Sequence, residues 1–252
     1  MKNHPVFAGV LIVGLLFGGR LPAQEAREIV RKADAKFNGE KNCISEMTMS
    51  IVRPKYTRSL SFKSWAENGG NALTLITGPA KEKGQTFLKN GNNMWSWNPT
   101  IQRLIKLPAS MMAQGWMGSD FTNDDILKES SLVKDYTPKL LKTENVDNTK
   151  CWCIELKPLE KADVIWGKIV LWVSTDDFLE LKSEYYDEDG YLVKTHKAAK
   201  VATFDGRRLP SQLEITPADE PGNKTVITIQ RMSFNATLDR NLFTQQYMKR
   251  IQ

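Results

Sequence analysis

Three aspartates, Asp120, Asp124 and Asp125, crowd into the stretch MMAQGWMGSDFTNDDIL that runs from Met111 to Leu127. Carboxylates this close can hold a divalent cation or work as an acid–base pair, which would make the chain a metal-dependent hydrolase, although the spacing is not that of an EF-hand loop. The competing reading is structural: carboxylates near a helix start accept hydrogen bonds from free backbone N–H groups and complement the helix dipole. The structural reading is preferred, because the rest of the chain offers the aspartates no catalytic company. His196 lies in a strand-like run, and no GxSxG elbow accompanies it. There is no Gly-rich phosphate loop and no HExxH. Cys151 and Cys153 are two apart and share a strand face, without the further Cys or His ligands of a zinc site. With Cys43 they make three cysteines. One bridge from Cys43 to either is possible, and small buried thiols are the preferred reading. No enzyme activity, cofactor or metal is expected.

The same stretch carries a second kind of chemistry. Met111, Met112, Trp116, Met117 and Phe121 are interleaved with Gly115 and Gly118. Singly, each is ordinary core. Together, in a segment that connects elements rather than forming one, they suit a lid over an apolar cavity, and methionine adapts its shape to variable acyl chains.

The elements that must position this segment are mostly strands. Glu25 to Asn38 has helical spacing, with Ala26, Ile29, Val30, Ala33 and Phe37 on one face and a stop at Asn38-Gly39. The period then becomes two. Met47, Met49 and Ile51 alternate with polar residues, as do Leu60 with Phe62, Leu73 with Leu75, and Trp95 with Trp97. Turn pairs follow at Gly69-Gly70, Asn90-Gly91, Asp189-Gly190 and Asp205-Gly206. After Asp135 the pattern resumes through Trp152, Ile154 and Leu156, Ile165–Val173, Leu179 with Leu181, Leu213 with Ile215, and Ile227 with Ile229. Roughly ten strands joined by short turns predict one large antiparallel sheet with helices, an α+β fold. Pro108 can open a short helix bearing Met111 and Met112. Thr122 and Asp125 resemble a capping box for a second one bearing Ile126 and Leu127.

Composition bounds the compartment and the partners. Lys2 and the apolar run Val6–Phe17, followed by Pro22-Ala23, read as a secretory signal over residues 1–23, leaving 229 residues as one domain, 24–252. The net charge of +6 falls to +4 without Lys2 and Arg20, and the basic residues are scattered, so nucleic acid is not an expected partner.

The signal segment, the first helix, MWSWNP, IQRLIKLP, NLFTQQYM and above all WMGSDFTNDDIL resemble the outer-membrane lipoprotein-sorting proteins, the LolA-like superfamily of periplasmic lipoprotein carriers. The resemblance implies a strongly curved antiparallel sheet, an unclosed barrel, covered by an N-terminal helix and short lid helices. It implies a periplasmic carrier that binds lipoprotein acyl chains or another lipid and moves them toward the outer membrane. An inner-membrane transporter would supply the cargo and an outer-membrane acceptor would take it, with no cofactor and no hydrolysis. The same fold also serves envelope sensors or interaction modules. The residues expected to line the apolar cavity are Met47, Met49, Leu60, Phe62, Trp95 and Trp97 on strands, with Met111, Met112, Trp116, Met117 and Phe121 on the lid. Arg58 and Arg103 are both candidates for an arginine that locks the lid.

Overall fold

Alternating strands joined by tight turns have one economical arrangement, in which each strand pairs with the next. The computed structural model, which describes residues 22–68, 70–91, 93–127 and 131–251, shows that arrangement on a large scale. Helix α1 (Pro22–Asn38) is followed by β1 (Asn42–Arg53), β2 (Tyr56–Glu67), β3 (Ala72–Gly78), β4 (Thr86–Asn90), β5 (Asn93–Asn98) and β6 (Arg103–Leu107). A long connection then leads to β7 (Tyr136–Val146), β8 (Thr149–Pro158), β9 (Lys168–Ser174), β10 (Glu180–Tyr186), β11 (Leu192–Phe204), β12 (Arg207–Pro217) and β13 (Lys224–Phe234). The expected signal segment lies outside the described residues except for Pro22 and Ala23, which begin α1. Among the described residues no helix is long and apolar enough to cross a membrane.

The thirteen strands among the described residues form one antiparallel sheet in the order β6-β5-β4-β3-β2-β1-β13-β12-β11-β10-β9-β8-β7. The count exceeds the ten expected. β6 and β7 show little apolar alternation, because as edge strands they are half exposed, with burial alternating weakly along them. The turn between β7 and β8 uses Asp147-Asn148, both at positive φ (45° and 66°), a hairpin signal without glycine. The pairing of β1 with β13 is the one neighbour relation not consecutive in the chain. The chain therefore zips outward from the centre to one edge at β6, crosses to the other edge at β7, and zips back.

The crossing is residues 108–135, which contain a 3-10 turn at Ala109–Met111, another at Trp116–Gly118, and helix α2 (Asn123–Leu127). It is the expected lid, and it reports the curvature of the sheet. Trp116 packs edge-on against Phe87 of β4, with ring centroids 5.2 Å apart, while Phe121 reaches His196 of β11 at 5.9 Å. The backbones of Trp116 and Phe121 are hydrogen-bonded to each other at 2.7 Å. β4 and β11 are six strand spacings apart in the sheet order, roughly 29 Å if the sheet were flat. Two side chains rooted on one backbone pair cannot span that distance, so the sheet wraps around the lid without closing, as expected.

Both faces are covered in part. The inner face carries Met49, Ile51, Leu60, Phe62, Ile76, Phe87, Ile215 and Ile227 beneath the lid. Beside them, α1 lays Ala26, Ile29, Val30 and Ala33 on Ile154, Leu156, Ile169 and Leu171. On the outer face, the C-terminal segment packs Leu242, Phe243 and Met248 against Leu73 and Leu88, and Cys151 and Cys153 pack with Val170 and Trp172. Cys43 packs in a different cluster, with Phe204 and Phe234, and none of the three thiols is bridged. Burial pushes the Cys153 thiol up to about 11, which suits an inert apolar role.

Candidate functional site

The lid is a folded unit in its own right. Trp116 N–H donates to the Phe121 carbonyl, Asn123 N–H to Gln114 at 2.9 Å, and Asp124 N–H to Met112 at 3.1 Å. The Asn123 side chain donates to the Met111 carbonyl at 2.9 Å. Glycine is required at Gly115, where a Cβ would stand 2.5 Å from the Ser119 carbonyl oxygen. Met117 and Gly118 both take positive φ (54° and 76°), reversing the chain so that Trp116 and Phe121 point the same way. The expected capping box is present: Thr122 N–H donates to Asp125 at 2.7 Å, and Asp125 N–H donates to the Thr122 hydroxyl at 3.1 Å.

Nine of the eleven expected apolar residues meet in one cluster. Met49, Leu60, Phe62, Met112, Trp116 and Phe121 are buried in it, and Met47, Met111 and Met117 pack against it partly exposed. Trp116 is the centre, wedged edge-on between Phe62 (5.3 Å) and Phe87 (5.2 Å) and only 1% exposed. Trp95 and Trp97 are a correction. They share a face with each other, but it is the outer one, where they pack with Leu88 and the C-terminal residues Leu242 and Phe243. The register explains it: Trp95 faces Leu88 across the β4–β5 pair, whereas Met94 and Phe87 point inward. Tryptophan in a strand says that a face is covered, not which one. Met112, Trp116 and Phe121 occupy the inner face themselves. A surface depression of about 520 Å³ lies away from the lid, beside Ile44, Glu46 and Met232.

Charge fastens the lid at two points. The first is Arg53, at the end of β1. It grips Asp120 with both terminal guanidinium nitrogens, Nη1 and Nη2, at 3.0 Å and donates to the Gly118 carbonyl at 3.2 Å. Thr225 of β13 completes the clamp, its hydroxyl donating to Asp120 at 2.6 Å and accepting from the Asp120 N–H at 3.1 Å. Arg58 assists by donating to the Met117 carbonyl at 2.8 Å and pairing with Glu82. Of the two candidate locking arginines Arg58 touches the lid, Arg103 stands on edge strand β6, and Arg53 does most of the holding. The expectation that Asp120 serves a helix start is thereby corrected: it is an ion-pair partner for the sheet.

The second point is Lys194 of β11, which is buried and bonded to Asp125 of the lid. Lys194 also lies over the rings of Trp166 (4.7 Å) and Tyr185 (5.2 Å). Burial would push the Asp125 carboxyl up, but Lys194, His196 and the Thr122 N–H together hold it below the usual range. Burial lowers the Lys194 ammonium in spite of Asp125. Beside them His196 is half-buried, its ring 4.3 Å from Tyr185, and its buried Nε2 has no hydrogen-bond partner. Two of the three aspartates thus already carry a protein cation, so the cluster is a fastening rather than an open ligand set. Among the described residues no group of three or more His, Cys, Asp or Glu side chains is placed to hold a metal ion.

Burial, then the Lys194 charge, pushes His196 down to about 3 from the usual 6.5, with Asp125 opposing. A base whose folded value is depressed stays neutral in the fold while the unfolded chain takes up a proton. Its contribution is complete above pH 6.5 and is lost as acid is added down to about pH 3. Within that window the loss runs at about 1.4 kcal/mol per pH unit. Urea unfolding at pH 7 and pH 5 is expected to show this slope, and His196→Leu is expected to flatten it. An equal slope in both proteins would refute the assignment.

This unclosed antiparallel sheet with its N-terminal helix is a LolA-like fold, shared with solved structures. The structure is similar to a DUF1329 family protein from Desulfovibrio piger (25% identity, 90% of this chain and 99% of that one, TM-score 0.82). It is similar to a LolA superfamily protein from Nitrosomonas europaea (25% identity, 88% and 98%, TM-score 0.75). A domain provisionally named as an outer membrane lipoprotein-sorting protein, from Vibrio parahaemolyticus, shares the fold at 23% identity over 90% and 100% of the two chains (TM-score 0.80). No curated protein matches the sequence. A family model described as "-like: Uncharacterized protein" matches residues 69–250, and the chain belongs to that family.

Proposed function

We propose that this protein is a periplasmic carrier that binds the acyl chains of a lipoprotein or another lipid against the inner face of its sheet and moves them toward the outer membrane. One observation carries the reading. The inner face is apolar from β1 to β5 and across β12 and β13, and it is covered by a self-folded segment fastened through side chains, not strand pairing. Such a cover can lift without breaking the sheet. Displacing Met112, Trp116 and Phe121 exposes Met49, Leu60 and Phe62, and each acyl methylene buried there is worth about 0.8 kcal/mol. The kinship with the LolA superfamily supports the same reading, and the task needs no catalytic step and no cofactor.

Protein purified gently from its host is expected to retain lipid in native mass spectrometry, and acyl ligands are expected to change hydrogen exchange across Met111–Leu127. A lipid-free protein whose lid ignores acyl ligands would sink the proposal. The filled inner face favours a second reading, an envelope sensor or interaction module of the same fold whose lid stays shut and docks a protein. That reading predicts a protein partner whose binding survives delipidation.

A further inference from the structure

Lys194 is the feature that a purely apolar cargo leaves unexplained. It is 3% exposed, on the inner face, at the seam where the lid's cluster meets the one under α1. Its neighbours on the sheet side are aromatic or neutral: Trp166, Tyr185 and His196. The carboxylates that act most strongly on it, Asp125, Asp124 and Asp120, all belong to the lid. The cation and its counter-charge are thus divided between the fixed part of the molecule and the part that must move. Two buried polar atoms of these neighbours, His196 Nε2 and Trp166 Nε1, have no hydrogen-bond partner.

We propose that the cargo is an anionic amphiphile whose carboxylate or phosphate takes the place of Asp125 on Lys194 when the lid lifts. The inference rests on the carrier reading and names its ligand class. With the lid open, an uncharged chain would leave the ammonium without an anion against apolar walls, a costly state. An anionic head restores a charge-assisted bond, and its oxygens can accept from Trp166 Nε1. The indole and phenol rings hold the ammonium in place for it. Asp125 then acts as a built-in stand-in for the ligand's head, keeping the site satisfied while it is empty.

The test is displacement of the neutral dye N-phenyl-1-naphthylamine from the delipidated protein by dodecanoate, dodecyl phosphate and 1-dodecanol, each below its aggregation concentration. The expected result is that at least one anion binds about tenfold tighter than the alcohol, a difference of about 1.4 kcal/mol. The preferred anion distinguishes a fatty acid from a phospholipid source. In Lys194→Met the preference is expected to vanish while the alcohol still binds. In Asp125→Asn all three ligands are expected to tighten with the preference retained. If Lys194→Met does not fold, the double variant Asp125→Asn/Lys194→Met removes both charges together and carries the same expectation. Equal binding of anions and alcohol, or a preference that survives loss of Lys194, overturns this proposal and leaves the carrier reading intact. Failure of all three ligands to displace the dye overturns the carrier reading, and this one with it.

Discussion

Trp116→Ala is expected to cost about 3–5 kcal/mol of stability, the range for deleting a fully buried tryptophan. The indole is 1% exposed and touches both Phe62 and Phe87 edge-on, so its removal takes away two aromatic contacts and the wedge that fills the inner face. Its Nε1 has no hydrogen-bond partner, so the loss is one of packing alone. Phenylalanine at this position should recover part of the loss, because it restores ring contact at smaller volume. Urea unfolding gives the magnitude, and hydrogen exchange separates its two sources. If the lid undocks first, exchange rises across Met111–Leu127 before the sheet loosens. A loss below about 1 kcal/mol would mean that the wedge is not the centre of the site.

Arg53→Ala is expected to be nearly as damaging, at about 3–5 kcal/mol, because it leaves the Asp120 carboxylate buried without its cation. The side chains are 15% and 9% exposed, so solvent screens the pair little. Thr225 still donates to Asp120 and sets the lower end of the range. The double variant Arg53→Ala/Asp120→Ala should be less destabilised than Arg53→Ala alone, since no orphaned charge remains. Arg58→Ala should cost less than Arg53→Ala, its pair with Glu82 being a third exposed on the arginine side. Equal losses for Arg53 and Arg58 would refute the assignment of Arg53 as the main fastening. Under the proposed carrier function, weakening either fastening should lower the free energy of opening and raise dye binding at the inner face.

The lid shows how much the sequence discloses. Its apolar residues, its glycines and the Thr122–Asp125 capping box are local features, decided by neighbours in the chain. They were legible, as were Met49, Leu60 and Phe62 through the period of their strands. Arg53 was not, because nothing in VRPKYTR marks the first arginine above the second; only the approach of Asp120 from 67 residues away singles it out. Lys194 was hidden for the same reason, being one of many lysines on strands until β11 is seen to face the lid. Trp95 and Trp97 lie on the outer face, which their alternation does not reveal, because a strand between two coverings looks the same from either side. The C-terminal segment that covers them lies about 150 residues away, with Phe243 accepting from Asn90 at 2.7 Å.

By itself, then, the sequence determined what periodicity and local hydrogen bonding can determine. That includes a single antiparallel sheet, a helix before it, and one greasy, acidic interruption folded on itself. Only the tertiary structure decided that the interruption joins the two edges of an open sheet, that its own side chains fill the space it covers, and that it is held by Arg53 and Lys194. The physical reason is range. Alternation and caps act over a few residues, whereas the curvature of the sheet, the choice of inner face and the pairing of buried charges arise from contacts between strands far apart in the chain.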